Sequence, residues 1–173
     1  MALFRFEDKV PAVGKGTYVS DSAEVIGDVQ IGECCYIGPC AVLRADFGRI
    51  VIGYGSAIED NCILHAAPDS SCDIGRYVTV GHGAVVHDAR LADYASVGMG
   101  AVVSNNVEIG AWSIVGEGCV VKSGDRVPPE SIVVGVPGKV VAQVSAEQKK
   151  YWNWGKEAYV DLARRCLEGL KKL

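Results

Sequence analysis

An aliphatic residue, usually followed by a small one, returns at close to every sixth position through most of this chain, and few folds accept that pattern. The series runs Ile31-Gly32, Ile37-Gly38, Leu43, Ile52-Gly53, Ile58, Leu64, Ile74-Gly75, Val80-Gly81 and Val86. It continues through Leu91-Ala92, Val97-Gly98, Val103, Ile109-Gly110, Val115-Gly116 and Val121. Six is neither the 3.6 of a helix nor the two of an isolated strand; it is the length of a short strand plus a corner. Three such units make one triangular coil, so coils start at Ile31, Ile52, Ile74, Leu91 and Ile109, with excursions after Leu43 and Leu64. Each aliphatic residue points inward and stacks on its equivalent one coil away, and the neighbouring glycine lets the backbone turn sharply. A β-sandwich with Gly-rich turns would have to produce this even spacing by chance. The expectation is a solenoid of parallel strands.

Pro128, Pro129 and Pro137-Gly138 end the repeat, because proline cannot donate to a strand ladder. From Ser145 the pattern becomes helical. Ser145 with Glu147 and Gln148 reads as a capped start, and Tyr151, Trp152, Tyr159, Leu162, Cys166, Leu167 and Leu170 supply an apolar stripe. The chain thus divides into a repeat domain with an entry strand over 1–144 and a helix over 145–173 packed on its outside. A solenoid leaves large flat faces, and side-by-side trimerisation is a natural way to bury one.

Composition excludes several classes. A net charge of −4 without a basic run argues against nucleic acid. No apolar run is long enough to cross a bilayer, and Arg5, Glu7, Asp8 and Lys9 interrupt any secretory segment near the start. The seven cysteines are odd in number and irregular in spacing, which fits a reducing cytoplasm better than a disulfide framework. Cys34, Cys35, Cys40, Cys62 and Cys119 lie within the repeats, where a small apolar side chain packs well.

The chain has three histidines, His65, His82 and His87. His65 follows Leu64 and His87 follows Val86, the third aliphatic residues of consecutive coils, so these imidazoles stack at one corner, about 4.7–4.9 Å apart. His82 follows the second aliphatic residue of its coil and belongs to another corner. A three-fold arrangement brings His82 of one subunit against His65 and His87 of its neighbour. Three histidine ligands make a zinc-type site with one position open for water, the pattern of a catalytic metal.

The chain resembles the γ-class carbonic anhydrases and their relatives named for carnitine and phenylacetate pathways. The resemblance rests on Gly38-Pro39, Leu43-Arg44-Ala45-Asp46, Glu59-Asp60-Asn61 ahead of His65, the run from Gly81 to His87, and Gly135-Val136-Pro137-Gly138-Lys139 before the helix. It implies a left-handed parallel β-helix and a homotrimer whose three histidines hold zinc, or iron or cobalt, with one ligand from the adjacent subunit. In those enzymes zinc-bound water titrates near 7 and the hydroxide attacks carbon dioxide, giving bicarbonate. The resemblance further implies that Arg44 and Asp46 form buried ion pairs at the subunit contact with Asp60 as another partner, that Arg44 and Glu59 shape the reaction pocket, and that Tyr159 approaches the metal. Three residues depart from the family pattern: Glu59 replaces a common glutamine, Ala57 an asparagine, and Phe47 an acidic residue used in proton export. The activity expected is therefore that of a carbonic anhydrase-like lyase. Thioester cleavage at the same metal, acyl transfer as in other hexapeptide proteins, and non-catalytic metal binding stand as alternatives, because fold alone does not choose among them.

Overall fold

The computed structural model describes residues 2–173. Up to Ser131–Val134 the strands pair in parallel from coil to coil, giving a left-handed parallel β-helix of about seven turns. Every aliphatic residue of the series is buried. They stand in three columns, one behind each face. One runs Val19, Ile37, Ile58, Val80, Val97, Val115, Val133. The second runs Val25, Leu43, Leu64, Val86, Val103, Val121. The third runs Ile31, Ile52, Ile74, Leu91, Ile109, Val127. Burying one such side chain contributes about 1.5–3 kcal/mol, so these columns are the main source of stability.

Two expectations change. The repeat does not end at Pro128 and Pro129: Ser131–Val134 still runs parallel to Ile114–Val115, because the prolines occupy a corner where no ladder donor is needed. It ends where Lys139–Gln143 folds back antiparallel on Ser131–Val134. The glycines beside the aliphatic residues also serve another purpose than a sharp turn. A Cβ on Gly53 would lie 2.7 Å from the Gly75 carbonyl carbon, and one on Gly81 would lie 2.9 Å from the Val97 oxygen. Glycine is required there because the next coil passes too close for a side chain.

Positive φ falls instead on residues such as Tyr77, Tyr94 and Trp112 at a different corner. With Tyr54 these form a ladder of rings, with centroids 5.4 Å (Tyr54 to Tyr77), 5.2 Å (Tyr77 to Tyr94) and 4.3 Å (Tyr94 to Trp112) apart. The Lys149 ammonium lies over the Trp112 ring at 5.9 Å.

The outward residues differ from face to face. One face carries Val42, Ile63, Val85, Val102 and Val120 in register, with Ile63 45% exposed. Another carries Asp73, Arg90, Glu108 and Arg126, alternating in sign. The third presents Tyr36, Ala57, Thr79 and Ser96 and is covered in part by helix α1, Ala146–Gly169. Ser145 and Gln148 form the expected capping box.

The inner side of α1 keeps only part of the expected stripe. Tyr151, Leu167 and Leu170 are exposed, whereas Tyr159, Leu162, Ala163 and Cys166 pack towards Tyr36 and Ala57. Lys156 is fully buried beside them. Its ammonium donates to Ser96 Oγ at 2.9 Å, the Ala95 carbonyl at 3.0 Å and Thr79 Oγ1 at 3.3 Å. Among the described residues no helix is long and apolar enough to cross a membrane.

Candidate functional site

The stacking expected of His65 and His87 is present, since Arg44, His65 and His87 are register partners on consecutive coils. His65 Nδ1 lies 2.9 Å from His87 Nε2, and the ring centroids are 4.9 Å apart. On its other side His65 Nε2 meets Asp46 Oδ1 at 3.1 Å, and Asp46 Oδ2 is paired with Arg44. Burial works to raise the Asp46 pKa, but hydrogen bonds from Arg44 and His65 outweigh it and hold the carboxyl below its ordinary value.

An ionised Asp46 accepts only, so with neutral rings the proton order follows. His65 donates from Nε2 to Asp46 and accepts at Nδ1 from His87 Nε2–H. His87 Nδ1 is then a lone pair. That atom is buried and, among the described residues, has no hydrogen-bond partner. An orphaned buried acceptor calls for a ligand or a proton.

His82 stands at the second corner, as its position after Val80 implies. Its ring is 46% exposed, with Nε2 3.0 Å from Glu59 Oε2 and Nδ1 3.3 Å from Asp60 Oδ2. The His82 backbone N–H also donates to Glu59 Oε2 at 3.1 Å. Glu59 is buried one coil before His82, so its carboxylate braces both the ring and the main chain. The site residues expected from the sequence therefore divide into two groups within one chain: Arg44, Asp46, His65 and His87 at one corner, Glu59, Asp60 and His82 at the other. Among the described residues no group of three or more metal-ligating side chains converges within the chain.

Tyr159 joins the second group from α1. Burial first, then its hydrogen bond to Glu59, pushes the Tyr159 hydroxyl well above its ordinary value. Lys156 also feels the Glu59 charge. Burial pushes its amine down to about 7, and Glu59 opposes that shift. Sequence reading passed over Lys156 because a lysine scores as an outward residue on any helix. The available signal was its spacing of three from Tyr159, opposite the small Thr79 and Ser96.

A model of the bacterial transferase hexapeptide, six repeats, matches residues 11–45. The carnitine operon protein CaiE of Salmonella agona is 36% identical over 172 residues, covering 99% of this chain and 87% of that protein. A putative acetyltransferase of Bacillus cereus superposes with a TM-score of 0.93 at 29% identity, over 94% of this chain and 95% of that one. A hexapeptide transferase family protein from Anaplasma phagocytophilum gives 0.90 at 30% identity, over 94% and 96%. These similarities correct the expectation of a carbonic anhydrase-like lyase: the solved neighbours that carry an activity name carry that of a transferase.

Proposed function

The chain belongs to the family of hexapeptide-repeat proteins represented by the carnitine operon protein CaiE, and from that premise we propose that it transfers acyl groups from a thioester donor. The observation that carries this reading is His82, half-exposed and braced on the buried carboxylate of Glu59. With Nε2–H donated to Glu59, Nδ1 is the nitrogen at the solvent edge, and its lone pair becomes available when Asp60 leaves with the proton they share and an incoming nucleophile takes its place. His82 takes the nucleophile's proton as the nucleophile attacks the thioester carbonyl carbon. The tetrahedral intermediate then collapses, the carbon–sulfur bond breaks, and His82 returns the proton to the departing thiolate. Tyr159 hydrogen-bonds Glu59 from the helix side, and Lys156 interacts with its charge. The acetyltransferase name of the Bacillus cereus neighbour supports the reaction class. A cytoplasmic location suits that substrate class and the seven unpaired cysteines.

We also propose that the chain assembles through its aliphatic face as a trimer, which is common among hexapeptide-repeat proteins. Val42, Ile63, Val85, Val102 and Val120 form a continuous apolar stripe that water leaves unsatisfied, and Arg44, His65 and His87 lie along its margin. In this arrangement the His82 corner of one copy faces the His65 and His87 corner of the next.

The facing ring nitrogens of the stacked pair, His65 Nδ1 and His87 Nε2, favour a second reading, thioester hydrolysis with a bound divalent cation, zinc above all. The residues fit such an ion: the facing nitrogens of His65 and His87, 2.9 Å apart, are close to the roughly 3.3 Å that tetrahedral ligands at about 2.0–2.1 Å impose. His65, His87 and the neighbouring copy's His82 would hold it. The ion would supply polarisation of the carbonyl and activation of water. Asp46 would keep the His65 tautomer fixed, as a carboxylate does for a ligating imidazole.

One assay separates the readings. Thiol release from a panel of acyl-coenzyme A thioesters is followed with amine acceptors present or absent, before and after chelation. Transfer predicts an amide product that survives chelation and falls about 100-fold or more in His82→Ala. Hydrolysis predicts a free acid and loss of turnover with the metal. Thiol release no faster than in His82→Ala for every thioester would sink both.

A further inference from the structure

Along most of their length Glu24–Ile31 and Val42–Ile52 pair residue for residue. Gly27 pairs with Ala45, but Val29 pairs with Ile50, so Asp46, Phe47, Gly48 and Arg49 bulge out opposite the single residue Asp28. A bulge forfeits ladder bonds, and its carbonyls need other donors. Both carbonyls at its tip receive the same one. The Lys9 ammonium donates to the Asp46 oxygen at 2.7 Å and to the Phe47 oxygen at 2.7 Å. Lys9 is itself presented by a tight turn in which Phe6 and Lys9 exchange backbone hydrogen bonds at 3.0 and 2.9 Å.

This bulge supplies both groups that touch His65 from outside the histidine column. Asp46 accepts its Nε2–H, and the Phe47 ring meets the imidazole edge to face with centroids 6.3 Å apart. The Phe47 N–H in turn donates to Asp46 Oδ1 at 3.1 Å, so the main chain gripped by Lys9 also orients the carboxylate. Arg49 fastens the far end of the bulge to Asp28 at 2.8 Å. Gly48 tucks under the next coil, where a Cβ would lie 2.5 Å from the Ala67 oxygen. Three sides of the bulge are thus tied to the solenoid, and the fourth is tied to the entry hairpin through Lys9.

We infer that Lys9 is a positioning residue: by clamping the two bulge carbonyls it fixes Asp46, and through Asp46 the tautomer and ring orientation of His65. The inference deepens the reading of His65 as a site residue, and its test does not depend on turnover. In metal-free protein, nitrogen NMR of the imidazoles reads which His65 nitrogen carries the proton. The wild type gives a single Nε2–H tautomer. Lys9→Met gives exchange between the two tautomers, with solenoid circular dichroism unchanged, whereas Lys9→Arg and the control Lys15→Met keep the wild-type pattern. Titration with zinc ions alone gives a second readout, with affinity expected to fall about tenfold in Lys9→Met, the lower end of the losses seen when a ligand's supporting partner is removed. Unchanged His65 ring signals in Lys9→Met overturn the inference, as does the same loss in Lys15→Met. A wild type that binds no zinc counts against the metal reading, and the ring signals then decide the role of Lys9 by themselves.

Discussion

The aliphatic and the charged face of the prism are built on inward columns of the same kind and differ in the residue one place earlier in each strand. Before Leu43, Leu64, Val86, Val103 and Val121 stand Val42, Ile63, Val85, Val102 and Val120. Before Ile74, Leu91, Ile109 and Val127 stand Asp73, Arg90, Glu108 and Arg126. The inward position therefore says that a coil forms, and the outward position says what that side of the coil is for. Charges alternating along an exposed sheet repel strand addition and keep a face wet. A strip of β-branched side chains does the opposite, and only on that side do the stacked histidines lie.

A charge placed on the aliphatic stripe is the strongest way to break this contrast. Val85→Asp should leave the solenoid folded yet weaken self-association by about 3 kcal/mol or more, over 100-fold in Kd, because an unpaired carboxylate would be buried between copies. Sedimentation velocity across a concentration series checks it. A wild type that stays monomeric, or a variant that assembles equally well, would refute the assignment of this face.

The helix-covered face sharpens the contrast, because it buries an ammonium group. The amine of Lys156, pushed down to about 7 from an ordinary 10.5, binds its proton less tightly folded than unfolded. Stability should then rise with pH from about 7 upward, by at most about 1.4 kcal/mol per unit. Glu59, Thr79, Ser96 and the Ala95 carbonyl are the groups facing it. The buried thiols Cys35, Cys62 and Cys72, pushed up to about 11, 12 and 12, act in the opposite sense once unfolded cysteine ionises. Urea unfolding between pH 7 and 8 isolates the lysine, and about 1 kcal/mol of gain is expected, absent in Lys156→Met. A flat profile in the wild type would remove Lys156 as its source.

The smallest effect belongs to the charged face. Arg90 pairs with Asp73 at 3.4 Å with its side chain 70% exposed, so Arg90→Ala should change unfolding free energy by less than about 0.5 kcal/mol. A larger loss, measured by the same urea titration, would mean that this side too is covered in the assembled protein.

The inward columns and the stacking of His65 on His87 were legible because each depends only on counting residues between coils. The assignment of His82 to another corner was legible for the same reason. Other features escaped because they depend on what lies outside a single coil. Pro128 and Pro129 read as a stop until the corner they occupy is seen to need no donor. Glycine beside an aliphatic residue looks like a turn signal, yet at Gly53 the constraint comes from Gly75 in the next coil. The inner stripe of α1 was legible at Tyr159, Leu162 and Cys166 but not elsewhere, because Tyr151, Leu167 and Leu170 are more apolar than Lys156, and hydropathy does not register three acceptors waiting on a sheet. Nor does spacing reveal the Lys9 clamp, which spans 37 residues to a bulge visible only as a slip in strand register.

The ring ladder of Tyr54, Tyr77, Tyr94 and Trp112 also gives the protein an optical axis. Tyrosine absorbs at higher energy than tryptophan, so light absorbed along this corner drains by dipole coupling to Trp112, whose ring lies 4.3 Å from Tyr94 and at 4° to it. The same indole carries the Lys149 ammonium from α1 on its surroundings. Its emission therefore responds both to the spacing of the coils and to the seating of the helix, a native luminescent gauge that needs no attached dye.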